Sequence, residues 1–139
     1  MYTRGMPTFR YAKLVRDNIP TWHRANGHTV KGRQLIDQEL LRALIEKLHE
    51  EADEVSSALS RDEFVEELGD VQQIIWDICH TQAIPREELG ASIDKKTGRK
   101  GSYVGGNYID SVTIPNEDDK WAVYCRRQPE KYPEVAGEE

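Results

Sequence analysis

The chain has few of the residues that mark disulfide-bonded, zinc-binding or membrane proteins. It contains only 2 cysteines, Cys79 and Cys125, which are isolated from each other and from any Cys/His ligand spacing. Neither a disulfide framework nor a zinc site is therefore predicted. No stretch approaches the roughly 18 apolar residues of a membrane span, and the N-terminus lacks the apolar run of a secretory signal. We expect a cytoplasmic protein that makes no membrane contact.

An excess of positive charge is also missing. The 139 residues include 19 lysines and arginines against 25 aspartates and glutamates, which gives a formal charge of -6. This balance excludes a general nucleic-acid-binding surface, although an acidic protein can still bind phosphates locally through metal ions. The length predicts one ordinary domain. We place it over residues 1–115, followed by a partly flexible C-terminal extension over residues 116–139.

Apolar residues recur at helical spacing in two long segments. The first begins at Asp37, a predicted N-cap, and continues to Leu59, while the second extends from Phe64 to Ile78. The sequence Ser60-Arg61-Asp62-Glu63 between them is a capping box that starts the second helix. Because the link is so short, we expect the two helices to pack antiparallel.

Shorter elements surround this pair. Pro20 fits the first turn of a short helix that ends near Asn26-Gly27, and Pro85 opens a further helix that we expect Gly98 to close. Glycine and β-forming residues in GSYVGGNYIDSVTI and WAVYC predict an irregular loop that could include a small C-terminal β-hairpin. The predicted fold class is all-α, an antiparallel helical bundle.

Acidic residues interrupt the apolar faces of both long helices. Glu51 and Glu54 lie on the inward side of the first, and Glu67 and Asp70 on that of the second. Like charges at this spacing repel by roughly 0.2–0.5 kcal/mol even on an exposed helix, and partial burial raises the cost. Lys47 alone cannot neutralise four carboxylates. The pattern therefore predicts a hard divalent cation, Mg²⁺ or Mn²⁺, whose further ligands are phosphate oxygens.

The acidic spacing resembles that of a known family. EExxE, from Glu50 to Glu54, followed by ExxD, from Glu67 to Asp70, is similar to the motif of the all-α NTP pyrophosphohydrolases. This family includes MazG-type enzymes, dimeric dUTPases and phosphoribosyl-ATP pyrophosphohydrolase. KLVRDNIP, which begins at residue 13, and DKKTGRKGSY, which begins at residue 94, resemble signatures of its MazG-like branch. The resemblance covers about residues 11–110.

The resemblance implies a Mg²⁺-dependent hydrolase, of a house-cleaning type, that cleaves the α–β phosphoanhydride of a nucleoside triphosphate to a monophosphate and pyrophosphate. The implied metal ligands are Glu51, Glu54, Glu67 and Asp70. Glu51 is also an implied catalytic residue together with Glu50, which either orients or activates water or is simply exposed. The candidates for phosphate contact are Lys13, Arg16, Lys96 and Arg99. The family further implies a homodimer or homotetramer.

Other interpretations stay open. Phosphoribosyl-ATP hydrolysis in histidine synthesis uses the same metal motif, although KLVRDNIP resembles the MazG-like branch more closely. A noncatalytic helical dimer could keep metal or partner binding without turnover. The basic residues near the end of the third predicted helix could simply complement its dipole. Trp76 and Asp77 could meet a nucleobase, but we favour a packing role for Trp76.

Overall fold

The computed structural model describes residues 5–137, which form helices joined by turns and irregular segments and contain no β-strand. The helices are α1 (Ile19–Ala25), α2 (Asp37–Ser57), α3 (Arg61–Thr81), α4 (Arg86–Lys100) and α5 (Lys120–Arg126). The predicted all-α fold class is therefore confirmed. None of these helices is both long enough and apolar enough to cross a membrane.

The two long helices form an antiparallel pair. Leu44 of α2 and Ile74 of α3 are buried, as is the free thiol of Cys79 near the end of α3. Both helices have 21 residues, and they pack against each other. Each buried apolar side chain contributes about 1.5–3 kcal/mol relative to exposure in water. This pairing places the acidic turns of α2 and α3 beside each other.

The connection between the pair is fixed by the predicted capping box. The backbone N–H of Glu63 donates to Ser60 Oγ at 3.1 Å, while the Glu63 carboxylate accepts from the backbone N–H of Leu59 at 2.9 Å. The reciprocal bond thus reaches one residue further back than in the usual box. The first bond satisfies a donor that the first turn of α3 would otherwise leave free, and the second holds the connection against that turn.

Part of the predicted apolar stripe is not buried. Ile45 of α2 and Phe64 and Leu68 of α3 keep between 42% and 46% of their surface exposed. These side chains follow the helical spacing that predicted burial, so their exposure leaves an apolar face along the pair.

Two predicted helix boundaries are wrong. Ile36, not Asp37, occupies the N-cap position of α2, and no side chain there accepts a capping hydrogen bond. Helix α4 passes through Gly98 and ends at Lys100. Gly101, with φ at +82°, follows directly, and this left-handed conformation is the one that glycine adopts at helix ends without strain.

The suggested C-terminal hairpin is not formed in the described part of the chain. Residues 121–125, WAVYC, lie in α5 rather than in a strand. The Asp119 side chain caps this helix by accepting a hydrogen bond from the backbone N–H of Trp121 at 2.8 Å. The ring of Trp121 stacks on Tyr124, with centroids 4.9 Å apart. The local cap and the aromatic stack together outweigh the β-propensity of these residues.

The chain divides into two compact units between Gly98 and Arg99. The first contains α1 to α3 and most of α4, and the second contains α5. The predicted division after residue 115 falls inside the second unit and stays a prediction. The last two residues of the predicted extension, 138–139, lie outside the described residues.

Candidate metal centre

Three carboxylates converge between α2 and α3. One oxygen from each of Glu51, Glu54 and Glu67 lies within 4.8 Å of the other two. Glu51 is buried, Glu67 is half-buried and Glu54 is exposed, so the cluster opens from the helix interface toward solvent. Oxygens bound to one Mg²⁺ at about 2.1 Å lie about 3.0 Å apart at adjacent positions and about 4.2 Å apart at opposite ones, so the three carboxylates would draw closer together to share one ion.

Two oxygens of this cluster have no hydrogen-bond partner. Glu51 Oε2 and Glu67 Oε2 are inaccessible to solvent, and no donor among the described residues reaches them. The other oxygen of Glu51, Oε1, lies 3.6 Å from Lys47 Nζ. A buried polar group left unsatisfied costs about 1–3 kcal/mol, and more when it is charged. These atoms are therefore the ones that a bound cation would stabilise, and carboxylate oxygens suit hard divalent cations as a class.

The electrostatics of the cluster agree with its geometry. Burial, the close approach of Glu54 and the negative charges of Asp70 and Glu51 raise the pKa of Glu67 to about 7. Burial also raises the pKa of Glu51. The negative charges of Glu54 and Asp70 raise it further, while the positive charge of Lys47 lowers it. In both residues the charged form lacks enough compensating positive charge.

Asp70 is placed differently from the other three predicted ligands. Its Oδ1 accepts a hydrogen bond from Arg16 Nη2 at 2.5 Å, an ion pair that joins α3 to the segment before α1. Its negative charge still raises the pKa of both Glu51 and Glu67, although its oxygens are not among those that converge. Asp70 therefore already has a counter-ion, whereas among residues 5–137 the three converging glutamates have a single ion-pair partner, Lys47, which contacts Glu51.

Glu50 lies on the outer side of the same α2 turn. Lys47 Nζ is 3.2 Å from Glu50 Oε2, and Lys13 Nζ is 3.8 Å from Glu50 Oε1. The Glu50 side chain keeps 39% of its surface exposed. Of the two predicted catalytic carboxylates, Glu51 thus belongs to the converging set, whereas Glu50 lies beside it and pairs with Lys13 and Lys47.

The predicted cations separate into two groups. Lys13 and Arg16 contact the acidic helices through the ion pairs above, a placement that the sequence had not indicated. The sequence signal for these contacts is that Lys13 and Arg16 lie close together in one short basic segment. This signal does not identify Asp70, the partner of Arg16, because Asp70 is 54 residues away along the chain. Lys96 and Arg99 are exposed in α4, and within residues 5–137 neither forms an ion pair.

Trp76 is half-buried and contacts the start of the next helix, while its predicted role in the core or at a subunit interface stays a prediction. The guanidinium carbon of Arg86, at the start of α4, lies 3.8 Å from the centroid of the Trp76 ring, a cation–π contact. Both line a shallow cavity of about 330 Å³ at the turn between α3 and α4, together with Asp77 and His80. Gln73 Nε2 donates to Asp77 Oδ1 at 3.0 Å. The cavity contains none of the converging glutamates.

Comparison of the chain with known protein families, with curated proteins and with solved structures found no significant match.

Proposed function

We propose that the protein is a Mg²⁺-dependent nucleoside triphosphate pyrophosphohydrolase of the MazG-like kind. The observation that carries the proposal is the pair of buried oxygens, Glu51 Oε2 and Glu67 Oε2, that have no hydrogen-bond partner within residues 5–137 and lie beside Glu54 in a cluster of hard oxygen donors. The EExxE and ExxD spacings, which resemble the family's motif, supply the same residues. Geometry and resemblance therefore support one site.

Each side chain has a defined part in this proposal. Glu51, Glu54 and Glu67 hold the cation, and Asp70 completes the set from the edge. A bound Mg²⁺ would neutralise triphosphate charge and lower the pKa of the attacking water. Glu50, which pairs with Lys13 and Lys47, orients that water from the rim. Phosphoryl transfer depends mainly on positioning and charge stabilisation, which such a rigid helix pair can provide.

Basic side chains would contact the phosphates of the substrate. Lys13 and Arg16 lie beside the carboxylates and can contact phosphate oxygens at the rim of the site. Lys96 and Arg99 are exposed and have no carboxylate partner within the described ranges, so their charge is available to a phosphate. Because Arg forms two parallel bonds with phosphate oxygens, Arg16 and Arg99 suit a polyphosphate well.

We also propose that the enzyme acts in the cytoplasm as a homodimer or homotetramer, and that it removes unwanted nucleotides. The exposed apolar residues of α2 and α3 support self-association, since a second copy could bury them. The acidic charge, -6 overall, favours a nucleotide substrate over a nucleic acid.

Two alternatives differ from the proposal, one in the preferred substrate and the other in forming no product. A phosphoribosyl-ATP pyrophosphohydrolase would use the same carboxylates but prefer phosphoribosyl-ATP to ordinary triphosphates. A noncatalytic metal-binding or partner-binding dimer would bind the cation and cleave nothing.

The test is a product analysis. The purified protein is incubated with Mg²⁺ and a panel of standard and modified nucleoside triphosphates plus phosphoribosyl-ATP, and the products are separated by anion-exchange chromatography. The proposal expects a monophosphate and pyrophosphate from at least one triphosphate. Release of orthophosphate would place cleavage at another bond, and no product from any substrate would leave the noncatalytic alternative.

A further inference from the structure

The segment before α1 bridges both acidic helices. Arg16 contacts Asp70 on α3, and Lys13, which lies three residues earlier, contacts Glu50 on α2. Neither contact involves the three converging glutamates. The basic segment thus neutralises the two carboxylates at the margins of the cluster and leaves its centre for another cation.

The Arg16–Asp70 pair is exposed. The side chain of Arg16 keeps 63% of its surface in solvent and that of Asp70 keeps 31%. Ion pairs of this kind are screened by water and contribute little to stability, so they can be exchanged at low cost. Asp70 follows Glu67 by three residues on α3, so the two carboxylates are neighbours on one face of that helix, beside the converging glutamates.

We propose that Arg16 is an exchangeable counter-ion of Asp70, which a divalent cation displaces, and that the freed guanidinium then binds a phosphate of the nucleotide. This inference rests on the proposed function, because it assigns Arg16 a part in coupling the metal to the substrate at the same site. Before the exchange Arg16 competes with the metal for Asp70. After the exchange it contributes a bidentate donor to the triphosphate.

The coupling has a characteristic sign. If Arg16 competes with the metal, its removal should strengthen metal binding in the absence of nucleotide. If Arg16 instead only orients Asp70 for the metal, its removal should weaken that binding. In the presence of the metal, the exchange predicts that loss of Arg16 weakens nucleotide binding, because the freed guanidinium is the group that the nucleotide would contact.

The experiment measures Mn²⁺ binding to the full chain by isothermal titration calorimetry, without nucleotide. We expect Arg16→Gln to bind Mn²⁺ about two- to fivefold more tightly than the wild type, the factor that an exposed ion pair supplies. Lys13→Gln removes a charge from the same segment but does not contact Asp70, so it should change Mn²⁺ affinity less. Arg33→Gln removes an ion pair with Glu39, at the other end of α2, and should have no effect.

The second arm uses a triphosphate with a methylene group in place of the α–β bridging oxygen, titrated at saturating Mn²⁺. We expect Arg16→Gln to bind this analogue more weakly than the wild type, while Arg33→Gln binds it equally well. Arg16→Lys, which keeps a competing charge, should bind Mn²⁺ with nearly wild-type affinity, and it serves in place of the Gln variant if that variant is unfolded by circular dichroism.

The outcomes separate the two proposals. Unchanged or weaker Mn²⁺ binding by Arg16→Gln, an equal gain from Lys13→Gln, or unchanged analogue binding overturns the exchange and leaves the metal site intact. With Arg16→Lys as the substitute, Mn²⁺ binding well below wild type overturns it. Failure of the wild type to bind Mn²⁺ overturns the exchange and the metal site together. Mn²⁺ binding with the expected signs but no hydrolysis of any triphosphate supports the exchange and contradicts the proposed activity.

Discussion

Glu51 and Glu67 belong to different helices, yet each buries an Oε2 atom that no donor in the described part of the chain reaches. Helix pairing brings these two carboxylates together with Glu54. In the absence of a cation their mutual repulsion is an internal strain on the α2–α3 interface. The protein's stability should therefore respond to pH and to metal in a defined direction.

Metal-free protein should lose stability as pH rises through the interval from about 4.5 to about 7. The pKa of Glu67 is 4.5 when unperturbed and about 7 in the folded chain. Within this interval the native state holds a proton that the unfolded state has released, so the free energy of unfolding falls as pH increases. Mg²⁺ should offset this loss and raise the thermal midpoint more above the interval than below it. The effect is measured by thermal unfolding in a chelator and in Mg²⁺, at one pH below this interval and at one pH above it.

Glu67→Gln is the matched variant for this measurement. It removes the titrating group, so the metal-free protein should lose much of its pH dependence and most of its response to Mg²⁺. Glu66→Gln changes an exposed neighbour on the same helix and should leave both unchanged. If the stability of the Glu67→Gln protein keeps the wild-type pH dependence, Glu67 is not the source of that dependence.

Ser60→Ala should destabilise the protein by about 1 kcal/mol, because it removes the side chain that caps α3. Ser57→Ala is the control, since the Ser57 hydroxyl only contacts the Asp53 carbonyl on the exposed side of α2. Urea denaturation at constant pH measures both. Equal midpoints for the two variants would show that the cap contributes little.

The sequence predicted the parts of the fold that depend on local chemistry. The helical spacing of apolar residues located α2 and α3, and Ser60 with Glu63 located the start of α3. Because two helices joined by a short turn must pack antiparallel, the convergence of Glu51 and Glu67 followed from the same pattern. These inferences needed no information about distant contacts.

The parts that were missed depend on competing local signals or on distant contacts. WAVYC is too short for its β-propensity to decide, and the overlooked signal was Asp119, which caps α5. The contact of Arg16 with Asp70 depends on the path of an irregular segment, which periodicity does not describe. Gly98 and Gly101 are both glycines near the end of α4, and the spacing of apolar residues does not distinguish which of them follows the last turn.

Leu68→Glu should convert the proposed oligomer to a monomer, because it places a charge on the apolar face that Leu68 shares with Phe64. Size-exclusion chromatography with light scattering measures the change in mass. Leu59→Glu introduces the same charge at the connection between α2 and α3, where the side chain is 92% exposed, and should keep the wild-type mass. An unchanged mass for Leu68→Glu would place the interface elsewhere.

Lys96→Gln should raise KM for the triphosphate by about tenfold, the loss of one charge-assisted hydrogen bond to phosphate. Because Lys96 lies outside the carboxylate cluster, Mn²⁺ affinity should not change. Lys31→Gln removes an exposed lysine between α1 and α2 and should alter neither quantity. If Lys96→Gln has wild-type KM, its charge only complements the dipole of α4.

The most direct test of the central claim is the rate of pyrophosphate release from a triphosphate that the wild type cleaves, compared between Glu51→Gln and Asp53→Asn in Mg²⁺. Both residues lie in one turn of α2, but Glu51 is buried in the cluster and Asp53 is exposed. We predict that Glu51→Gln lowers kcat/KM by at least about 100-fold and that Asp53→Asn leaves it within about twofold of wild type. Equal rates for the two variants would contradict the assignment of the carboxylate cluster as the active site.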